Sequence, residues 1–345
     1  MQPSSVTTAV SADSLSIPLI DFDAFLHGDE STRRATAQAI LSGFQNAGFI
    51  YLSNHGITPA TVRTTFAESA KFFARPQVQK DALAWTTPEA NRGYSGAGRE
   101  KTTDLVDAGD IAAKRAVEGA DLKESLEIGR EGVEGMPNQW PGDRGFTGDE
   151  EDAKGFRDRM LDFFEQCKQL HMQVMGAIAV GMGIGGDWFD GYCDGGDNTL
   201  RLLHYPEVRA EVFKQNKNQV RAGAHTDYGS ITLLFQDMRG GLQVLSPNGN
   251  FIDAKPIEGA IVVNAGDLLA RWSNDVIKST KHRVVEPPGK EGEETHPARY
   301  SIAYFCNPNA ESWIDAIPGT FEEGEDGRGK GKNGEYLVRR LQATY

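Results

Sequence analysis

Ala224-His225-Thr226-Asp227-Tyr228-Gly229-Ser230-Ile231-Thr232-Leu233-Leu234 opens with two metal-binding side chains and runs into a strand-like pattern. His225 and Asp227 are two residues apart, and a strand turns side chains i and i+2 to one face, so both can reach a single ion. His282 brings a second imidazole after a long interval, enough for several strands to wrap round and return. Two neutral imidazoles and one carboxylate form the ligand set of a non-haem Fe(II) centre with coordination positions left open. A bare His-x-Asp is most often a surface turn, so the surrounding residues must carry the reading.

Those surroundings are strand-rich. Between about 199 and 306 the pattern predicts short strands at Leu200–Tyr205, Ser230–Phe235, Leu242–Leu245, Ala260–Val263, His282–Val285 and Tyr300–Cys306, separated by turns such as Gly240-Gly241 and Pro247-Asn248-Gly249. Many short strands punctuated this way predict a jelly-roll core. Upstream, Ile17–Phe22 and Phe49–Leu52 read as strands. Residues 30–46 carry apolar positions at helical spacing, and Thr58-Pro59 starts a helix running to about Phe73. Phe156, Met160, Phe163, Phe164, Cys167, Leu170, Val174 and Ile178 form the stripe of a long helix in which His171 is a packing residue. The expected class is mixed α and β, with the helices packed outside a double-stranded β-helix. Residues 1–16 read as a disordered tail, 17–145 as an N-terminal region whose 86–145 stretch is a lid loop, and 146–345 as the long helix plus core, all one structural unit.

Whole-chain chemistry narrows the partners. The chain has 345 residues, 39% hydrophobic and 25% charged, an ordinary globular balance. Its 36 Lys and Arg against 49 Asp and Glu give a net charge of −13, which argues against a nucleic-acid backbone as partner. Cys167, Cys193 and Cys306 have no paired spacing, which fits a reducing compartment. No apolar run approaches the ~20 residues of a membrane span. The cytoplasm is expected, with no membrane and no obligate protein partner.

Arg299 and Ser301 share a face of the last predicted strand. A planar guanidinium beside a hydroxyl suits a carboxylate. An open iron site needs an electron-donating co-substrate anchored beside it, so this pair gains meaning downstream of the ligands. With His225-Thr-Asp227, His282-Arg-Val and Arg299-Tyr-Ser301 in this order, the chain resembles the Fe(II)/2-oxoglutarate-dependent oxygenases of the isopenicillin N synthase-like group. The likeness runs from Ile17-Pro-Leu-Ile-Asp21 through Gly48-Phe-Ile-Tyr51, Asn54-His-Gly56 and Asn264-Ala-Gly-Asp-Leu268 to Phe305-Cys-Asn-Pro308. It implies Fe(II) on His225, Asp227 and His282, with 2-oxoglutarate held by Arg299, Ser301 and Tyr205. O2 is then the second co-substrate and ascorbate an accompanying reductant. His55 belongs to a structural turn. Leu203-His204-Tyr205 stands where many members carry Asn-x-Tyr, a departure that removes one expected co-substrate contact.

Within the group, Trp85-Thr-Thr-Pro-Glu-Ala-Asn-Arg-Gly-Tyr-Ser95, Gly98-Arg-Glu-Lys101, Asp197-Asn198-Thr-Leu-Arg-Leu-Leu-His-Tyr-Pro206 and Gly266–Asn274 are similar to the fungal thymine dioxygenases. That similarity implies oxidation of the thymine methyl group to the alcohol, the aldehyde and the carboxylate, with the free base as substrate. Tyr228 and Phe305 could stack on a flat ring, and Asn198 and Arg201 could meet its carbonyl and N–H edges. Because Asn198 and Arg201 differ by three positions, Asn198 must lie before the strand for both to converge. Three other readings stay open: a related oxygenase acting on another planar aromatic metabolite, a non-enzymatic metal-binding β-barrel, and a zinc hydrolase using the same ligands.

Overall fold

The computed structural model describes residues 5–85, 91–98, 121–142, 150–215, 219–286, 294–321 and 331–332. Its strands are β1 (Val6–Ala12), β2 (Leu15–Asp21), β3 (Phe49–Ser53), β4 (Gly93–Ser95), β5 (Glu124–Gly129), β6 (Thr199–Tyr205) and the short β7 (Val208–Arg209). There follow β8 (Ala222–His225), β9 (Ile231–Gln236), β10 (Leu242–Leu245), β11 (Phe251–Asp253), β12 (Ala260–Ala265), β13 (His282–Val284), β14 (Thr295–His296) and β15 (Arg299–Cys306). Nine of them form one sheet in the order β1-β2-β3-β12-β9-β15-β6-β5-β4, and four form a second in the order β11-β10-β13-β8.

Alternation assigns the two faces of the large sheet. Leu200, Leu202, Leu233, Phe235, Ile302 and Tyr304 pack outward with the helices into one core. Leu203, Tyr205, Val262 and Ala303 face inward and pack with Leu242, Val244 and Val284 of the small sheet. The two sheets thus face one another across an inner core, the expected jelly roll, with helices covering the outer face. The helix Glu150–Gly181 buries Phe156, Met160, Phe163 and Phe164 there, each contributing roughly 1.5–3 kcal/mol through burial. Glu30–Asn46 begins where Asp29 accepts from Thr32 N at 2.8 Å, and Pro59–Phe73 where Thr58 accepts from Thr61 N at 3.1 Å.

Two expectations are corrected. The tail expected to be disordered over 1–16 is ordered from Ser5: β1 pairs antiparallel with β2. Asp13 and Ser14 both have positive φ, 51° and 63°, the conformation of a tight hairpin turn. The Asp13 carboxylate also takes hydrogen bonds from Ser246 Oγ, Asn248 Nδ2 and Asn250 Nδ2, tying the hairpin to the β10–β11 turn. Residues 1–4 lie outside the described residues.

The 86–145 stretch is the second. Its described parts contain β4 and β5, and β5 lies beside β6 within the large sheet. Every residue of β5 is buried. Its outward Glu124 accepts from Lys80 Nζ at 2.8 Å, contacts His204 Nδ1 at 2.7 Å and accepts from the Tyr94 hydroxyl. The remainder of the expected lid, residues 86–90, 99–120 and 143–145, lies outside the described residues.

Candidate active site

His225 ends β8 and His282 begins β13, and the two are direct partners in the antiparallel ladder. Asp227 is not on a strand shared with His225, as the spacing had suggested. The strand stops at His225, and Asp227 sits in the connection before β9. This connection is pinned from below: Asp267 N donates to Asp227 O at 2.8 Å, and Thr226 Oγ1 donates to Asp267 Oδ2 at 3.0 Å. The Asn264–Leu268 segment therefore serves the ligand turn directly. Gly266 is needed for that approach, since a Cβ there would lie 2.4 Å from Gly229 O.

The three side chains converge. Nε2 of His225 and Nε2 of His282 lie 3.8 and 3.7 Å from Asp227 Oδ1, and all three ligand atoms fall within 4.8 Å of one another. His225 Nδ1 contacts Gly223 O at 2.8 Å and His282 Nδ1 contacts Thr280 O at 3.3 Å. A carbonyl can only accept, so each Nδ1 carries the proton and each Nε2 turns a lone pair inward. Burial, aided by His282, pushes His225 down to about 3, keeping it a neutral ligand. Burial opposes ionisation of Asp227, yet the two histidines and hydrogen bonds from Asn264 and Thr232 hold its pKa below the ordinary carboxylate value. The donor set fits a divalent metal with open positions.

The two residues expected to hold the co-substrate also converge. Arg299 and Ser301 face inward on β15, both 1% exposed, with Arg299 Nη1 3.2 Å from Ser301 Oγ. Arg299 donates from Nε to Gly240 O at 2.9 Å, and its Cζ stands 4.9 Å from the centroid of Tyr205, its register partner. Tyr205 thus supports the guanidinium by a cation–π contact. Leu203, at the position of the departure, is the register partner of Ser301 and belongs to the inner apolar core. Sequence reasoning did not identify Arg221, which is 0% exposed and donates to Tyr205 O and Pro297 O at 3.3 Å. Burial and then the Arg299 cation push Arg221 down to about 10. Two crowded guanidiniums make this end receptive to an anion.

Of the residues expected to meet the substrate, Arg201 and Phe305 share the inner face, with Arg201 Cζ 5.3 Å from the Phe305 centroid. Phe305 is the register partner of Thr232, whose hydroxyl holds Asp227, so the ring lies one strand from the ligand support. Tyr228 is half-buried in the ligand turn itself. Asn198 immediately precedes β6, as convergence with Arg201 requires, but its observed partners differ from those expected. Its Nδ2 donates to Tyr304 Oη at 3.0 Å and its oxygen accepts from Asn307 N at 2.8 Å. Tyr304 belongs to the outer core, so Asn198 braces the approach to β6. Also unidentified from sequence is Glu127 on β5, the register partner of Arg201, with its Oε1 2.7 Å from Arg201 Nε. Its signal was the brief alternation Ser125-Leu126-Glu127-Ile128.

Comparison with known proteins identifies the family. A family model described as the 2OG-Fe(II) oxygenase superfamily matches residues 196–308. One described as non-haem dioxygenase in morphine synthesis N-terminal matches 17–143. The 2-oxoglutarate-Fe(II) type oxidoreductase ppzD of Metarhizium rileyi is 35% identical over 311 residues, covering 89% of this chain and 84% of its own. Full-length Neurospora crassa T7H, solved in complex with alpha-KG and thymine, is 60% identical with a TM-score of 0.89, covering 98% of this chain and 100% of its own. Its complex with alpha-KG and 5-formyluracil aligns at 57% identity and a TM-score of 0.87, over 98% of this chain and 99% of that one.

Proposed function

The chain belongs to the 2OG-Fe(II) oxygenase superfamily and is a 2-oxoglutarate-dependent dioxygenase; from that premise we propose that its substrate is thymine. In this reading the methyl group is oxidised to 5-hydroxymethyluracil, then 5-formyluracil, then 5-carboxyuracil. The observation that carries it is the full-length likeness, at 60% identity, to a protein that holds thymine beside alpha-KG.

The residues support such a reaction. When bound, Fe(II) and 2-oxoglutarate supply O2 activation: each oxidation converts 2-oxoglutarate and O2 to succinate and CO2 and delivers one oxygen atom to the methyl carbon. His225, Asp227 and His282 would hold the metal, and Asp227 presents Oδ1 because Oδ2 is engaged by Thr232 and Asn264. Arg299 and Ser301 would take the distal carboxylate of 2-oxoglutarate, with Tyr205 beneath the guanidinium. Phe305 and Tyr228 would sandwich the ring, and Arg201 would donate to a ring carbonyl. Asn198, while bracing the chain, has a second amide hydrogen for the same edge. These residues orient the methyl toward the metal and exclude water, which is the protein's share of the work.

The free base in a reducing compartment such as the cytoplasm is the setting this reading favours, given the −13 charge and three buried free cysteines. Among the described residues no helix is long and apolar enough to cross a membrane. The test is a panel of thymine, uracil, thymidine and DNA incubated with Fe(II), 2-oxoglutarate and O2, read by mass spectrometry. Oxidised thymine with matching succinate is the expected result, and no product from thymine would refute the assignment.

A further inference from the structure

Cross-strand register lays one row of inward residues across the large sheet. Asn264 pairs with Thr232, Thr232 with Phe305, Phe305 with Thr199, and Thr199 with Gly129. At one end of this row Asn264 and Thr232 hold Asp227. At the other, Leu126 and Ile128 pack into the outer core, so Gly129 turns inward by alternation. A Cβ on Gly129 would overlap the guanidinium of Arg92, which therefore occupies that end of the inner face. Three strand spacings, about 14 Å, separate it from Thr232, and Phe305 lies between them.

Arg92 is built into this place. Asn91 and Gly93 on either side both have positive φ, 45° and 116°, a backbone that few residues adopt. Arg92 is 8% exposed, yet its Nε and Nη1 find no hydrogen-bond partner among the described residues. Asp197, whose charge it feels, is committed elsewhere: Oδ1 lies 2.8 Å from Arg130 Nη2, and Oδ2 accepts from Ala310 N at 2.8 Å. Burial pushes Arg92 down to about 10. A buried guanidinium with unanswered donors is costly to keep, and an oxygen acceptor on a ligand would answer it.

The shape of thymine supplies that acceptor in the right direction. Its methyl-bearing carbon, C5, stands opposite C2. A ring laid on Phe305 with its methyl toward the metal ligands therefore turns its C2 carbonyl toward Thr199 and Arg92. We propose that Arg92 is a substrate-binding, specificity-determining residue that donates to the C2 carbonyl oxygen of a 5-methylpyrimidine ring stacked on Phe305. This deepens, and rests on, the thymine reading. Holding the edge farthest from the metal fixes how far the ring enters, and so which atom is brought to the metal. A sugar on N1, next to C2, would crowd the same guanidinium.

The test uses the Fe(II)- and 2-oxoglutarate-loaded protein without O2, with the metal-to-ligand charge-transfer band as the readout. Thymine and 5-methylpyrimidin-4(3H)-one, which lacks the C2 oxygen, are the titrants. Wild type should bind thymine roughly 10–100-fold more tightly than the analogue. Arg92→Met removes the donors while keeping an unbranched side chain. It should shrink that preference at least about five-fold, with 2-oxoglutarate affinity within about two-fold of wild type. Its melting temperature without ligands should equal or exceed that of wild type, because an unpaired buried charge is gone. Equal wild-type affinity for the two rings, or a preference undiminished in Arg92→Met, would overturn the proposal. So would an Arg92→Met protein that fails to fold or melts well below wild type, since a side chain kept for its ligand is not needed by the fold. Wild-type protein that binds neither ring would sink the thymine reading instead, before any variant is made.

Discussion

Thr232 Oγ1 donates to Asp227 Oδ2 at 2.6 Å, and Asn264 Nδ2 reaches the same oxygen at 2.7 Å. One carboxylate oxygen is thereby engaged within the protein while the other faces His225 and His282. Partners of this kind fix ligand orientation, and their loss typically costs about 10–100-fold in metal affinity. Asn264→Ala should therefore weaken Fe(II) binding by roughly that factor, with Thr232→Val similar. Competition with a chelator measures it, and unchanged affinity in both would remove these residues from the metal's support.

Arg299→Ala should raise the 2-oxoglutarate requirement much more than the thymine requirement. Hydrogen bonds to charged groups contribute about 1.5–3 kcal/mol, equivalent to roughly 10–150-fold in affinity. Steady-state KM values for both substrates provide the comparison, and equal increases would make Arg299 a structural residue.

Phe305→Ala should act on the ring and leave 2-oxoglutarate alone. Aromatic stacking contributes about 0.5–1.5 kcal/mol beyond burial, so thymine affinity should fall at least several-fold. Calorimetric titration of the anaerobic loaded protein checks this, and wild-type thymine affinity in Phe305→Ala would place the stacking elsewhere.

Acid should destabilise the fold before carboxylates titrate. Burial lowers His55 from 6.5 to about 4 and His171 from 6.5 to about 3. Below pH 6.5 the unfolded chain binds protons at these sites that the folded chain refuses. Stability from their neutral burial is thus present above 6.5 and lost as pH falls toward those values. Each contributes a limiting slope of about 1.4 kcal/mol per pH unit. Urea unfolding of the metal-free protein between pH 7 and 5 should show the decline, and His55→Leu should flatten it; an unaltered slope would contradict this assignment.

Much of this architecture is legible in the residues, for identifiable reasons. Strands β6, β9, β10, β12, β13 and β15 announce themselves by apolar runs between turns, the helix at 30–46 by its apolar spacing and that at 59–73 by its Thr58-Pro59 start. In contrast, β5 hides because its inward residues, Ser125 and Glu127, are polar, leaving only Leu126 and Ile128 as an apolar signal. Strand β1 contains few large apolar residues; it pairs with β2, and the turn joining them is tied through Asp13 to partners far away in sequence, Ser246, Asn248 and Asn250. The His225–Asp227 spacing picks out side chains that do converge with His282, although the geometry behind it is a pinned turn. Sequence cannot supply the register that makes His282 the partner of His225, nor the pairing that sets Glu127 beside Arg201.

Strand β5 carries one carboxylate to each side of the sheet: Glu124 outward to Lys80 and His204, and Glu127 inward to Arg201. Three residues apart on a stiff extended segment, the two share a single mechanical setting. Any substitution at Lys80 or His204 that displaces this strand is therefore felt on both faces of the sheet at once.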